Sequence, residues 1–94
     1  MRFEWDPEKA RTNRLKHGIS FEFATRAWDD PLRQILPDRV ENNEERWRTI
    51  AMIGAVMVVV VIHTHPGRDD DLVRIVSARK ATPHERRSYE NEAL

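Results

Sequence analysis

The sequence predicts a single α+β domain, residues 1–94: two N-terminal helices and a C-terminal helix packed on one face of an antiparallel sheet of three to four strands. Three observations predict it. Two capped helix starts fall in the first third of the chain, the apolar period shifts to two from Arg33 to Lys80, and a capping box restarts a helix at Thr82. At 94 residues the chain holds one hydrophobic core.

Arg2-Phe3-Glu4-Trp5 alternates polar and apolar residues, which suits a short strand. Asp6-Pro7-Glu8 then opens a helix, because Asp6 can cap, Pro7 fits the first helical position and Glu8 suits the positive end. Gly18 ends it after His17, and Ala10 and Leu15 are its only apolar residues, so it lies on a surface. Ser20 starts a second helix with Phe21, Ala24 and Trp28 on one face, stopped by Asp29-Asp30-Pro31. Arg33 to Leu36 reads as a short strand, followed by a polar connection through Pro37-Asp38 and Asn42-Asn43. Arg46 to Ile53 and Val56 to His65 form an antiparallel hairpin turning near Gly54-Ala55. Its second strand is apolar on both faces, as expected of a central strand covered on both sides. After Pro66-Gly67 and Asp69 to Asp71, Leu72 to Lys80 is the last strand, and Thr82-Pro83-His84-Glu85 begins a helix that runs through Tyr89 and frays by Leu94.

Composition excludes several function classes. Lys plus Arg and Asp plus Glu both number 16, so the chain is neither a uniformly basic tail nor an acidic solvating segment. There is no cysteine, hence no disulfide framework, thiolate zinc site or cysteine nucleophile. The longest apolar run, Ala55 to Ile62, is far short of the roughly 20 residues a membrane helix needs. Acids near the N-terminus do not suit a signal peptide, so a cytoplasmic protein is expected. The neutral sum conceals segregation. Lys9, Arg11, Arg14 and Lys16 fall in a stretch without an acid, and Arg74, Arg79, Lys80, Arg86 and Arg87 face Glu85 alone. Such a surface can hold a polyanion on its basic side.

The side chains available for chemistry are cations and histidines. Along the last strand Leu72, Arg74, Val76 and Ala78 share one face and Val73, Ile75, Ser77 and Arg79 the other, so Arg74 interrupts an apolar face. Arginine in a sheet is paired or functional. His63 and His65 share a strand face roughly 7 Å apart and could chelate a metal with Asp69 to Asp71, but no third ligand is set by spacing and no metal or cofactor is expected. His17 can bond the carbonyls at its helix end or serve as a proton donor or phosphate contact. Tyr89, four residues from Glu85, reads as core filler by default. No phosphate loop or nucleophile elbow appears. Cations with a few histidines suit cleavage of RNA by its own 2′-hydroxyl, which needs in-line positioning and charge stabilisation rather than an enzyme nucleophile.

Trp5-Asp6-Pro7 with Lys9 and Asn13, then Lys16-His17-Gly18-Ile19-Ser20-Phe21, resembles the opening of BrnT toxins of bacterial type II toxin–antitoxin systems. Arg74 to Thr82 with Glu85 and Tyr89 resembles the closing motif of that family, and Arg48 to Gly54 and the valine strand to His63 fit between them, while Pro31 to Glu45 does not. The resemblance implies a RelE-like ribonuclease fold, RNA cleavage that arrests translation, and a cognate ribbon-helix-helix antitoxin (BrnA-like) through which the complex contacts operator DNA and represses its own operon. It also implies site roles: Arg74, Arg79 and Lys80 as phosphate and transition-state ligands, and His17 and His63 as further catalytic candidates. Lys9, Arg14, Lys16 and Tyr89 are candidates for substrate binding. The competing readings are a non-catalytic module that binds nucleic acid or an antitoxin, and a metal-dependent nuclease.

Overall fold

A computed structural model describes residues 1–55, 57–67 and 71–93. Five strands form one mixed sheet in the order β1-β5-β4-β3-β2. They are β1 (Arg2–Glu4), β2 (Gln34–Glu41), β3 (Glu44–Ile53), β4 (Met57–Thr64) and β5 (Leu72–Lys80). The helices are α1 (Pro7–His17), α2 (Phe21–Ala24), which continues as a 3-10 helix over Thr25–Asp29, and α3 (Pro83–Ala93).

The expected all-antiparallel sheet of three to four strands is corrected at its β1 edge. Arg2, Phe3 and Glu4 pair in parallel with Leu72, Val73 and Arg74. An intervening chain of helices and three antiparallel strands returns β5 in the same direction as β1, so their pairing needs no hairpin. The second N-terminal helix is one α-turn tightened into 3-10, because its buried residues Phe21, Ala24 and Ala27 recur every third position. Trp28 instead packs edge-on against Phe3 at 5.1 Å and His63 at 5.0 Å.

Strand β2 outruns the expected Arg33–Leu36. Asn42 (φ 54°) and Asn43 (φ 61°) form a two-residue turn with both residues left-handed, which matches strand twist and closes a hairpin through the Glu41–Glu44 pair. Pro37 and Asp38 are thereby drawn into the strand. Proline is tolerated because β2 is the sheet edge, and the register shifts between Pro37 and Val40. The next hairpin turns at Gly54 (φ 65°), and β4 begins at Met57 and ends at Thr64, inside the expected Val56–His65; Val56 lies outside the described residues. Asp69, Asp70 and Leu94 also lie outside them.

Helices cover both faces rather than one. Val59, Val61, Val73, Ile75 and Ala78 pack with Phe21, Ala24 and Ala27, while Ile50, Val58 and Val60 pack with Tyr89 of α3. The valine strand is central and doubly covered, as its sequence predicts.

Helix α1 docks mainly through one amide. Asp6 accepts from Glu8 N–H, and Gly18 (φ 72°) donates to the Arg14 carbonyl, so both ends are capped as expected. Leu15 is 77% exposed and contributes little burial. Asn13 instead pairs with β5 beyond the end of β1: its Nδ2 donates to the Ala78 carbonyl at 2.8 Å and to the Ile19 carbonyl at 3.1 Å, and its Oδ1 accepts from Ala78 N–H at 3.1 Å. Asn13→Ala leaves these buried groups without partners and should lower stability by about 2–3 kcal/mol, measured by urea unfolding. A variant as stable as the parent would show that the helix docks by other means.

Candidate nucleic-acid interface

Spaced at i, i+3, i+4 and i+7, Lys9, Thr12, Asn13 and Lys16 share one face of α1. Docking of Asn13 on β5 therefore carries Lys9 and Lys16 to the sheet. Two adjoining cavities result, sharing Lys9 and Val76. One, of about 510 Å³, is lined by Lys9, Lys16, His17, Arg46 and Ser77 among others. Its neighbour, of about 450 Å³, brings Lys9 beside Arg74, with Glu4 and Asp6 on its wall. Both acids are committed: Asp6 caps α1, and Glu4 accepts from Arg74 at 3.3 Å. Among the described residues no ion pair engages Lys9, Lys16 or His17. The groove is thus cationic and open, and it holds four of the sequence-predicted residues: Lys9, Lys16, His17 and Arg74.

The two arginines of β5 share a face, contrary to simple alternation. Ile62 pairs with Ser77 and His63 with Ile75, so Val76 is an extra residue in the ladder. This bulge switches the parity. Val73 and Ile75 before it and Ala78 after it all enter the α2-side core, leaving Arg74 and Arg79 on the other face. Arg79 is held there by a fork: Nη1 donates to Glu85 Oε1 at 2.8 Å and Nη2 to Oε2 at 3.0 Å. Glu85 also accepts from Thr82 N–H and donates its own N–H to the Thr82 hydroxyl, the predicted capping box. The Arg79 hydrogen bonds pull the Glu85 carboxyl down to about 2, and the same bonds raise the already high pKa of Arg79.

Other predicted residues lie apart from the groove. His63 is wholly buried between Trp28 and His65, its Nε2 2.7 Å from the Thr49 hydroxyl, while its Nδ1 has no partner. Burial, then the neighbouring His65, lowers its pKa to about 3, so it is neutral near pH 7. The His63 and His65 rings are 5.1 Å apart, nearer than strand spacing alone predicts. Tyr89 is buried, and its hydroxyl donates to Asp30 Oδ2. Asp30 also accepts from the backbone N–H groups of Met52 and Leu32, each at 2.8 Å. Burial and then the Asp30 carboxylate push the Tyr89 phenol to about 12. Burial opposes ionisation of Asp30, but the bonds from Tyr89, Met52 and Leu32 outweigh it and hold its pKa below the usual value. Arg14 lies on the opposite side of α1, with Ala10, Leu15 and Phe21. Lys80 is exposed at the end of β5.

Sequence reasoning missed two groove or docking residues. Asn13 was legible only as part of a motif, since nothing in the helix reveals its β5 partner. Arg46 shares strand parity with Arg48, a visible signal, but its place beside Lys16 depends on the fold.

A family model described as "Ribonuclease toxin, BrnT, of type II toxin-antitoxin system" matches residues 5–85. The crystal structure of the Brucella abortus ribonuclease toxin BrnT is similar in fold, with TM-score 0.62 and 23% identity, covering 87% of this chain and 97% of that one. No curated protein matches. No helix of the described residues is long and apolar enough to cross a membrane.

His63 shapes the acid response from pH 6.5 downward, and Glu85 joins it below pH 4.5. With a folded pKa of about 3 against an ordinary 6.5, His63 resists protonation that the unfolded chain accepts, so stability present above pH 6.5 falls as pH drops toward 3. The slope is at most about 1.4 kcal/mol per pH unit. Glu85 contributes stability above its ordinary 4.5 that is lost as pH falls toward 2. Thermal unfolding of His63→Gln should therefore be flatter between pH 6.5 and 4.5, and Glu85→Gln flatter below that. An unchanged slope in either variant would refute the assignment for that residue.

Proposed function

The chain belongs to the BrnT family of ribonuclease toxins of type II toxin–antitoxin systems, and from this we propose that it cleaves RNA in the groove between α1 and β5. One observation carries the reading: cations from the two ends of the sequence, Lys9 and Lys16 of α1 and Arg74 of β5, line two adjoining cavities that share Lys9 and Val76, with His17 in the first.

The chemistry that suits such a groove is transesterification. The RNA 2′-hydroxyl loses its proton to a base, its oxygen attacks the adjacent phosphorus, and the P–O5′ bond breaks as the departing oxygen takes up a proton. The products are a 2′,3′-cyclic phosphate and a 5′-hydroxyl. Charge that builds on the phosphoryl oxygens is stabilised by Lys9, Lys16 and Arg74. His17, partly exposed at the end of α1, is the proton-transfer group. Arg79 and Lys80 are outer contacts for flanking phosphates, with Glu85 competing for the Arg79 fork. Arg14, on the far side of α1, has a weaker claim. Buried His63 and Tyr89 support the fold rather than touch substrate. No step requires a metal ion.

In the cell the chain would act in the bacterial cytoplasm and arrest translation. A ribbon-helix-helix antitoxin of the BrnA type would neutralise it by covering the groove, and operator DNA would be contacted only through that antitoxin. A non-catalytic binding module is the competing reading, favoured by the engagement of Arg79 with Glu85.

Incubation of the purified chain with single-stranded RNA in EDTA tests the proposal. Cleavage should persist and leave cyclic phosphate ends. His17→Ala and Arg74→Ala should each slow it roughly 10²-fold. RNA that is bound but uncut under all conditions would favour the binding module. Restoration of cleavage only by a divalent ion would overturn the metal-free mechanism.

A further inference from the structure

Arg46 is the least explained cation of the groove. It begins the inner part of β3, far in sequence from both motif-bearing ends, yet its side chain lines the same cavity as Lys16, His17 and Ser77. Its side chain is only 18% exposed, and Nη1 lies 2.9 Å from Glu41 Oε2 across the β2–β3 hairpin. Glu41 is shared with Arg39, at 3.2 Å, so neither arginine receives its full charge. The Arg46 Nε is buried without a hydrogen-bond partner, as are those of Arg33 and Arg48, but of the three only Arg46 lines the cavity with Lys16 and His17. A buried, unsatisfied donor lowers stability, and an apolar residue at this sheet position would avoid that penalty. The arrangement makes chemical sense if the guanidinium is held for a ligand. Glu41 holds Nη1 by charge at 2.9 Å, and the Arg46 side chain lines the cavity.

We propose that Arg46 is a substrate-binding residue that grips a phosphodiester of single-stranded RNA in the groove. This rests on the reading of the groove as an RNA site and adds to it a contact from the centre of the chain. The anionic ligand is identified by its surroundings. Lys9, Lys16, His17 and Arg46 converge on one cavity in which Glu8, the one acid on its wall, is paired with Arg11. A guanidinium offers donors in the planar geometry that suits two phosphate oxygens. Lysine, a point charge, would not reproduce it.

The test measures binding of a fluorescent 2′-O-methyl oligoribonucleotide, which lacks the attacking hydroxyl, over a salt series in EDTA. Arg46→Ala should weaken binding about tenfold and reduce the slope of log affinity against log salt by about 0.7, the change expected for one lost phosphate contact on a single strand. Arg46→Lys should keep most of the slope while losing several-fold in affinity. Arg26→Ala is the control, because Arg26 is exposed and lies over the Phe23 ring at 5.4 Å, away from the groove. Wild-type affinity and slope in folded Arg46→Ala would overturn the proposal, as would full affinity in Arg46→Lys. If Arg46→Ala fails to fold by circular dichroism, the lysine variant decides alone. Arg46-dependent binding of the 2′-O-methyl strand without cleavage of ordinary RNA would sustain this contact and defeat the proposed catalysis. Cleavage with Arg46-independent binding would do the reverse.

Discussion

The arrangement of the groove depends on the Asn13 carboxamide. Strand β1 is only three residues long and leaves the edge of β5 unpaired beyond Arg74. Backbone groups at a buried edge need partners. The Asn13 amide meets Ala78 with a donor and an acceptor, as a neighbouring strand would, and its second N–H reaches the Ile19 carbonyl just after α1. One side chain thus ties helix, loop and sheet together. The polarity of α1 makes this necessary, because with Leu15 exposed the helix has little apolar surface with which to dock. It also leaves the rest of that helix face for cations. Lys9 and Lys16, four residues before Asn13 and three after, are brought beside β5 as a consequence of how the amide is aimed.

The bulge at Val76 is the second constraint. Without it, Arg74 and Arg79 would project from opposite faces, and one of them would point into the α2-side core. One inserted residue resolves the conflict between burying Val73, Ile75 and Ala78 and keeping both arginines out of that core. The two guanidiniums then meet different fates. Arg74 pairs with Glu4 at about half exposure, an ion pair that solvent screens. Arg79 is clamped by both oxygens of Glu85, which itself caps α3, so that pair anchors the helix over the sheet.

What was legible in the sequence follows from how local each signal is. The caps of α1, the last strand Leu72–Lys80, the capping box at Thr82 and the doubly buried valine strand depend on neighbours within a few residues, and each is found where it is read. The parallel pairing of β1 is not local, since three residues carry no information about a partner 70 positions away. The sequence signal for β2 stops at Leu36 because Pro37-Asp38 resembles a turn, whereas the left-handed pair Asn42-Asn43 is the true turn and an edge strand can bear the proline. For the site, the basic stretch of α1 and the arginines of β5 were visible as composition. Their faces were not: alternation cannot reveal a bulge, and helical periodicity cannot say that Arg14 turns away from the groove while Lys16 turns toward it.

Sixteen positive and sixteen negative charges cancel over the whole chain, but function depends on which cations keep a local partner. Glu85 takes Arg79, Glu4 takes Arg74, Glu8 takes Arg11, and Glu41 is divided between Arg39 and Arg46. These pairs use acids that would otherwise neutralise the groove, and they leave Lys9 and Lys16 without one among the described residues. The pairs also differ in strength. The Arg79–Glu85 fork is partly buried and doubly bonded, whereas Arg74–Glu4 is a single long contact in solvent. A polyanion entering the groove would therefore find the α1 lysines first, displace Glu4 from Arg74 at small cost, and leave the Arg79 clamp of α3 intact. Neutrality of this kind limits attraction at a distance, beyond a Debye length of about 8 Å at physiological salt. It preserves attraction at contact, which under the proposed function would favour strands that fit the groove over polyanions in general.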